Sequence, residues 1–192
     1  MKENIEGAAE REIDPKSIAL VTTTFYPKWS PEGEVSVDKV RGDLNIEMLE
    51  EAKRKGYQTI VVDGGSSSEF IDRLQKEGVA PIHETEHSMS GSRRQAFNEG
   101  STLEGVKVIA WTEPEKVSIA RDCLPDAVQP ILDGRADIVI PKRDEEAFKT
   151  YPPYQVEYEQ KARKHRPPSI RELREPPHPA SFPICGHKNR AF

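Results

Sequence analysis

Residues 58–68 constrain this chain more than any other stretch. They read Gln-Thr-Ile-Val-Val-Asp-Gly-Gly-Ser-Ser-Ser, and an amphipathic segment follows them. A short apolar run that ends in an acid, two glycines and serines is the pattern of a buried parallel strand breaking into a tight turn at the mouth of a helix. In open α/β sheets ligands sit beyond the carboxyl ends of such strands. Asp63 is placed there to accept hydrogen bonds from a ribose or a base, or to cap the following helix. Gly64 lets a ligand approach the backbone closely.

The same alternation runs along most of the chain. Apolar runs predict strands at 18–24, 58–63, 79–83, 106–111 and 136–140, the third weakened by Pro81 and suited only to an edge. Between them, residues 40–55 show helical spacing, with Leu44, Ile46, Leu49 and Ala52 inward and Gly56 as the stop. Residues 68–76 read as a short helix with Phe70, Ile71 and Leu74 inward. Residues 89–100 read as a helix behind a serine-rich turn. Residues 119–132 are helical, and Pro125 either splits that helix or marks its start. Strands alternating with helices predict an α/β fold with a doubly wound, mainly parallel sheet.

Three regions follow from this pattern: a polar leader at 1–16, an α/β domain at 17–150, and a polar segment with a proline-rich tail at 151–192. From Arg166 onward the tail holds six prolines among charges, so an extended or disordered segment is expected, one that could engage a protein partner. The leader has no apolar core of a signal peptide, and no window has the apolar length of a membrane span. With only Cys123 and Cys185, no disulfide framework is expected, which favours a reducing compartment and a cytoplasmic protein. Of the 192 residues 35% are hydrophobic and 32% charged, consistent with a modest core, and the net charge of −5 argues against a general nucleic-acid binder.

Polar groups recur at the predicted strand ends, which this architecture gathers along one edge of the sheet. The first strand offers Thr22 and Thr24, the second Asp63 and Gly64, the fourth Glu113 and Glu115, and the fifth Lys142 and Arg143. The helix before the fourth strand adds Arg93 and Arg94. Carboxylates for a divalent cation and basic groups for phosphates would together suit a phosphorylated ligand. The competing readings are structural: Arg93-Arg94 as a solvated helix start, Glu113 and Glu115 as surface acids paired with Lys116, 142–146 as an exposed charge run, and Trp111 as core. Ser66, Ser67 and Ser68 have no nearby histidine to serve as a base, and Cys185, His187 and His178 fall short of a four-ligand zinc set.

The order of these pieces resembles the nucleotide-sugar-binding half of the inverting glycosyltransferases with the A-type fold, the family 2-like nucleotide-diphospho-sugar transferases. Val61-Val62-Asp63-Gly64-Gly65-Ser66 is similar to that family's Val-Val-Asp-Asp-Gly-Ser, with glycine replacing one acid. Met89-Ser90-Gly91-Ser92-Arg93-Arg94-Gln95-Ala96 is similar to its Gly-x-x-x-Ala-Arg-Asn-x-Gly helix. Trp111-Thr112-Glu113-Pro114-Glu115 stands where the family has its Asp-x-Asp metal motif, with each carboxylate one methylene further out and Pro114 between them.

The resemblance covers about residues 17–145. It implies a nucleotide-sugar donor, with Asp63 at the base or ribose, Arg93 near the diphosphate, and Glu113 and Glu115 facing manganese or magnesium. Transfer of the sugar to an acceptor hydroxyl would follow. For the catalytic base only position speaks, through Asp144, Glu145 and Glu146. The residues beyond 145 are expected to be too few for the family's acceptor-binding half. Two alternatives remain: a non-catalytic nucleotide-binding or interaction module derived from such an enzyme, and a nucleotidyltransferase. Against the last stands Phe25-Tyr26-Pro27, where a glycine-rich basic loop would be needed.

Overall fold

The structure, a computed structural model, describes residues 13–141 and 153–164. The chain divides into two units, the first ending at Val139 and the second beginning at Ile140. The first unit is α/β. Its sheet has four strands, all parallel: β1 (Ile18–Thr24), β2 (Gln58–Asp63), β3 (Ile82–His83) and β4 (Val108–Trp111), in the order β3-β2-β1-β4. The helices are α1 (Val37–Lys55), α2 (Ser68–Lys76), α3 (Met89–Ser101) and α4 (Leu124–Leu132).

Alternation along β1 sorts the two faces. Ile18 and Leu20 point into a core with Met48, Leu49 and Ala52 of α1, Phe70 and Leu74 of α2, and Leu124 and Val128 of α4. Ala19 and Val21 point the opposite way, against Ala96 of α3. Gly100 lets α3 lie close to the sheet, because a Cβ there would come within 2.8 Å of Val21 Cγ1. β1 is therefore covered on both faces, which is why its apolar run is continuous rather than alternating.

Local chemistry sets the helix boundaries. Ser36, Ser67 and Ser88 accept the backbone N–H of the residue three on, in α1, α2 and α3 respectively. Gly56 ends α1 at φ 83°, a left-handed conformation that glycine adopts without strain. Pro125 sits in the first turn of α4, preceded by a π-helical turn at Ile119–Cys123, so it marks the start of that helix. Cys123 is not a free thiol, so cysteine usage no longer argues for a reducing compartment.

Several expectations need correction. Residues 136–140 form no strand; Ile138 is 74% exposed, and β4 is the outer strand of the described sheet. Apolar, β-branched character made that run eligible, but pairing depends on a neighbouring edge it does not meet. The third strand shrinks to two residues, because Pro81 has no N–H and Val79 donates to Leu74 O to close α2. The end of the leader belongs to the fold: Pro15–Ser17 is a 3₁₀ turn capped by Asp14, and Ile13 packs on the core.

The second unit is described by one polar helix, α5 (Pro153–Lys164), with an exposed Lys161–Glu157 ion pair at 2.7 Å. Lys142, Arg143, Asp144, Glu145, Glu146 and the proline-rich tail lie outside the described residues. No helix among the described residues is long and apolar enough to cross a membrane.

Candidate functional site

Strand order places a topological switch point between β1 and β4: the chain leaves β1 toward β2 and β3 on one side, then returns through α3 to β4 on the other. The register opens a step there. β4 stops at Trp111, opposite Val21, while β1 continues to Thr24 against Asp63 of β2. The segment after Trp111 peels away, held by Thr112 N–H to Val21 O (3.2 Å) and by the buried Thr22 hydroxyl, which donates to Thr112 O (2.9 Å).

Asp63 organises the neighbouring turn. One carboxylate oxygen, Oδ2, accepts the N–H groups of Gly65 and Ser66, both at 2.9 Å. The other, Oδ1, accepts the hydroxyls of Thr24 (2.7 Å) and Ser66. Asp63 is 5% exposed, and its acceptor capacity is used within the turn. Gly65 at φ 113° makes that turn possible. Gly64 donates to Thr24 O (2.9 Å) and faces the Glu84 carboxylate, about which a Cβ would be tight at 3.1 Å. The predicted ligand contacts Thr22, Thr24 and Asp63 thus build the edge and bond to one another or to the backbone. As a base-binding group Asp63 would have to give up one of these bonds.

The two predicted arginines differ. Arg94 is exposed and pairs with the exposed Glu86 at 3.1 Å, a contact worth little. Arg93 has no ion pair among the described residues. Its guanidinium lies 4.3 Å from the centroid of the Trp111 ring, and its Nε is buried without a hydrogen-bond partner. Trp111 Nε1 is likewise unpartnered.

The two glutamates also separate. Glu113 is exposed, 3.8 Å from Lys116. Glu115 is only 18% exposed; Arg41 of α1 donates through Nε to its Oε1, and its Oε2 is buried without a partner. Arg41 also lies over the ring of Tyr26, 5.8 Å from its centroid. Burial, reinforced by the Glu115 carboxylate, pushes the Tyr26 hydroxyl far above its usual pKa, and that hydroxyl has no partner among the described residues. One turn along α1 from Arg41, the fully buried Asn45 donates to Pro114 O (3.2 Å) and leaves its Oδ1 unpartnered. No group of three His, Cys, Asp or Glu side chains among the described residues converges as a metal site. With Glu113 facing Lys116 and Glu115 facing Arg41, the predicted pair does not fit a shared cation.

Among the described residues, every buried side-chain polar atom without a partner falls in this neighbourhood: Tyr26 Oη, Asn45 Oδ1, Arg93 Nε, Trp111 Nε1 and Glu115 Oε2. Tyr26 belongs to the α1 face of the sheet and Trp111 to the α3 face, so these atoms fall into two groups; native structures leave few such atoms, and each calls for an account. Tyr26, Arg41 and Asn45 were not nominated from sequence. The available signal was a polar residue, Asn45, inside the apolar spacing of α1.

No family model, curated protein or solved structure matches this chain.

Proposed function

We propose that the first unit is the nucleotide-binding half of a glycosyltransferase of the A-type fold, taking a nucleotide-sugar at the step between β1 and β4. The observation that carries this is Arg93, a guanidinium stacked on Trp111 at the switch point with no ion pair among the described residues. A stacked arginine keeps its fork of donors in one plane and suits a diphosphate. In a transfer reaction Arg93 would offset the charge that develops on the departing diphosphate while an acceptor hydroxyl attacks the anomeric carbon. Asp63 and Thr24 would act as positioning residues that hold the turn, and no step is routed through a metal.

The second reading, a binding module derived from such an enzyme, draws on a specific observation. Among the described residues, each carboxylate predicted for chemistry has a structural partner: Asp63 in its turn, Glu113 at Lys116 and Glu115 at Arg41.

The test is thermal shift and calorimetry with UDP, GDP, UDP-glucose and GDP-mannose at millimolar concentration, with and without manganese. A ligand that binds the folded state raises the melting temperature. Arg93→Ala should weaken diphosphate binding about tenfold or more, the value of a charge-assisted hydrogen bond. No shift with any of these nucleotides, or unchanged affinity in Arg93→Ala, overturns the reading. Binding without turnover of donor favours the module.

A further inference from the structure

We infer that Tyr26, Asn45 and Glu115 form a site for neighbouring hydroxyl groups of the ligand, with Arg41 as its lid; the inference rests on the nucleotide-sugar reading above.

Three of the unpartnered buried atoms lie on the α1 side of the switch point: Tyr26 Oη, Asn45 Oδ1 and Glu115 Oε2. Their side chains are linked through Arg41 and through the Pro114 carbonyl. Arg41 binds Glu115 and covers Tyr26, while Asn45 holds the carbonyl of Pro114, next to Glu115. Tyr26 is fixed from behind, its N–H donating to Ser66 Oγ (2.9 Å) and its carbonyl accepting from Ser67 N (3.1 Å).

The chemistry of these atoms selects the occupant. Two are acceptors and the third is a hydroxyl able to do either, so the missing partner must donate hydrogen bonds. A phosphate offers no such donors and would meet the Glu115 carboxylate. The charge of Glu115 is already balanced by Arg41, which favours a neutral donor over an ammonium. Two neighbouring hydroxyls of a sugar meet both conditions: each donates to one acceptor, and one of them can accept from Tyr26. Arg41 is 50% exposed, so it can swing away from Tyr26 without disturbing the core.

The segment Trp111–Glu115 then has two sides of different character. Arg93, stacked on Trp111, offers positive charge on the α3 side; Tyr26, Asn45 and Glu115 offer acceptors on the α1 side. A molecule with a diphosphate at one end and hydroxyls at the other matches that division.

The experiment compares UDP with UDP-glucose, GDP with GDP-mannose, and glucose alone at high millimolar concentration, in wild type, Tyr26→Phe and Glu115→Gln. Tyr26→Phe removes an atom without a hydrogen-bond partner among the described residues, so it should fold. At least one nucleotide-sugar should bind wild type more tightly than its parent diphosphate. That advantage should fall about five- to tenfold in Tyr26→Phe, while diphosphate affinity stays unchanged. Glu115→Gln, which keeps the shape and swaps an acceptor for an amide, should lower it as well. An advantage that survives Tyr26→Phe overturns the inference alone, as would happen if a bound water filled the site. Diphosphate binding with no sugar advantage does the same. If no nucleotide binds but glucose protects wild type and not Tyr26→Phe, the nucleotide reading falls and the hydroxyl site stands. If nothing binds, both fall.

Discussion

The Thr24 hydroxyl donates to Asp63 Oδ1 at 2.7 Å, tying the carboxyl ends of the two central strands together through a buried side-chain bond. Asp63 also holds Gly65 and Ser66, so the turn that begins α2 depends on one carboxylate. Asp63→Ala is expected to cost about 3 kcal/mol of stability, because buried donors are left unmet as well as bonds lost. Asp63→Asn should recover only part of this, since an amide presents N–H to some of the same donors. Urea denaturation measures both. A loss below about 0.5 kcal/mol for the alanine variant, the range of ordinary surface substitutions, would contradict this account.

Tyr26→Phe should leave the protein at least as stable at neutral pH, gaining up to about 1 kcal/mol, since it removes a buried hydroxyl with no partner among the described residues. The hydroxyl's pKa in the fold lies above its ordinary 10. Its neutral form is therefore favoured on folding, a contribution fully present below pH 10 and lost as pH rises beyond it toward the folded value. The variant should lack this part of the alkaline loss of stability, which melting temperatures across neutral and alkaline pH would reveal.

Gly42→Ala should destabilise the protein. A Cβ there would come 2.3 Å from Cδ1 of Trp29, a ring that is 3% exposed, packs edge-on to Phe70 and donates to Asp43 Oδ1 at 3.0 Å. Alanine gains about 1 kcal/mol in helix propensity. Overpacking costs about 1–3 kcal/mol and displaces the indole. The expected result is a net loss with altered tryptophan fluorescence, relieved when Trp29 is shortened to Phe.

Glu84 follows β3 and joins it to α3 by accepting the Ser92 hydroxyl (2.6 Å) and meeting His87 Nδ1 (2.9 Å). Those bonds, Ser92 first, hold its carboxyl below the ordinary 4.5. A depressed carboxylate contributes stability above its ordinary pKa and loses that contribution as pH falls through the folded value. Glu84→Gln should therefore melt below wild type at pH 6 and converge with it as pH falls below the ordinary 4.5 and through the lowered folded value. A gap that widens toward acid would overturn the assignment.

How much of this was legible in the sequence depended on how local the deciding interaction was. Residues 58–68 announced β2, its turn and α2, because an apolar run, a carboxylate able to cap its own turn, and a serine N-cap act within a few residues. Gly56 marked a helix boundary for the same reason, while Pro125 left two readings open until the structure placed it in the first turn of α4. The parallel character of β1 and β2 followed from their continuous apolar runs. The register step between β1 and β4, the rejection of 136–140 as a strand, and the partners of Glu113, Glu115 and Arg93 were decided only by tertiary structure. Arg41 and Glu115 lie 74 residues apart, and no periodicity links them. Asn45 illustrates the limit: among Leu44, Ile46 and Leu49 it reads as a polar residue of uncertain side, and only the packing of α1 against the segment after β4 buries it and leaves its carbonyl oxygen unpaired. Backbone preferences act over one turn and so can be read along a chain, whereas a site is made where distant segments meet, and its hydrogen bonds exist only once the sheet has brought them there.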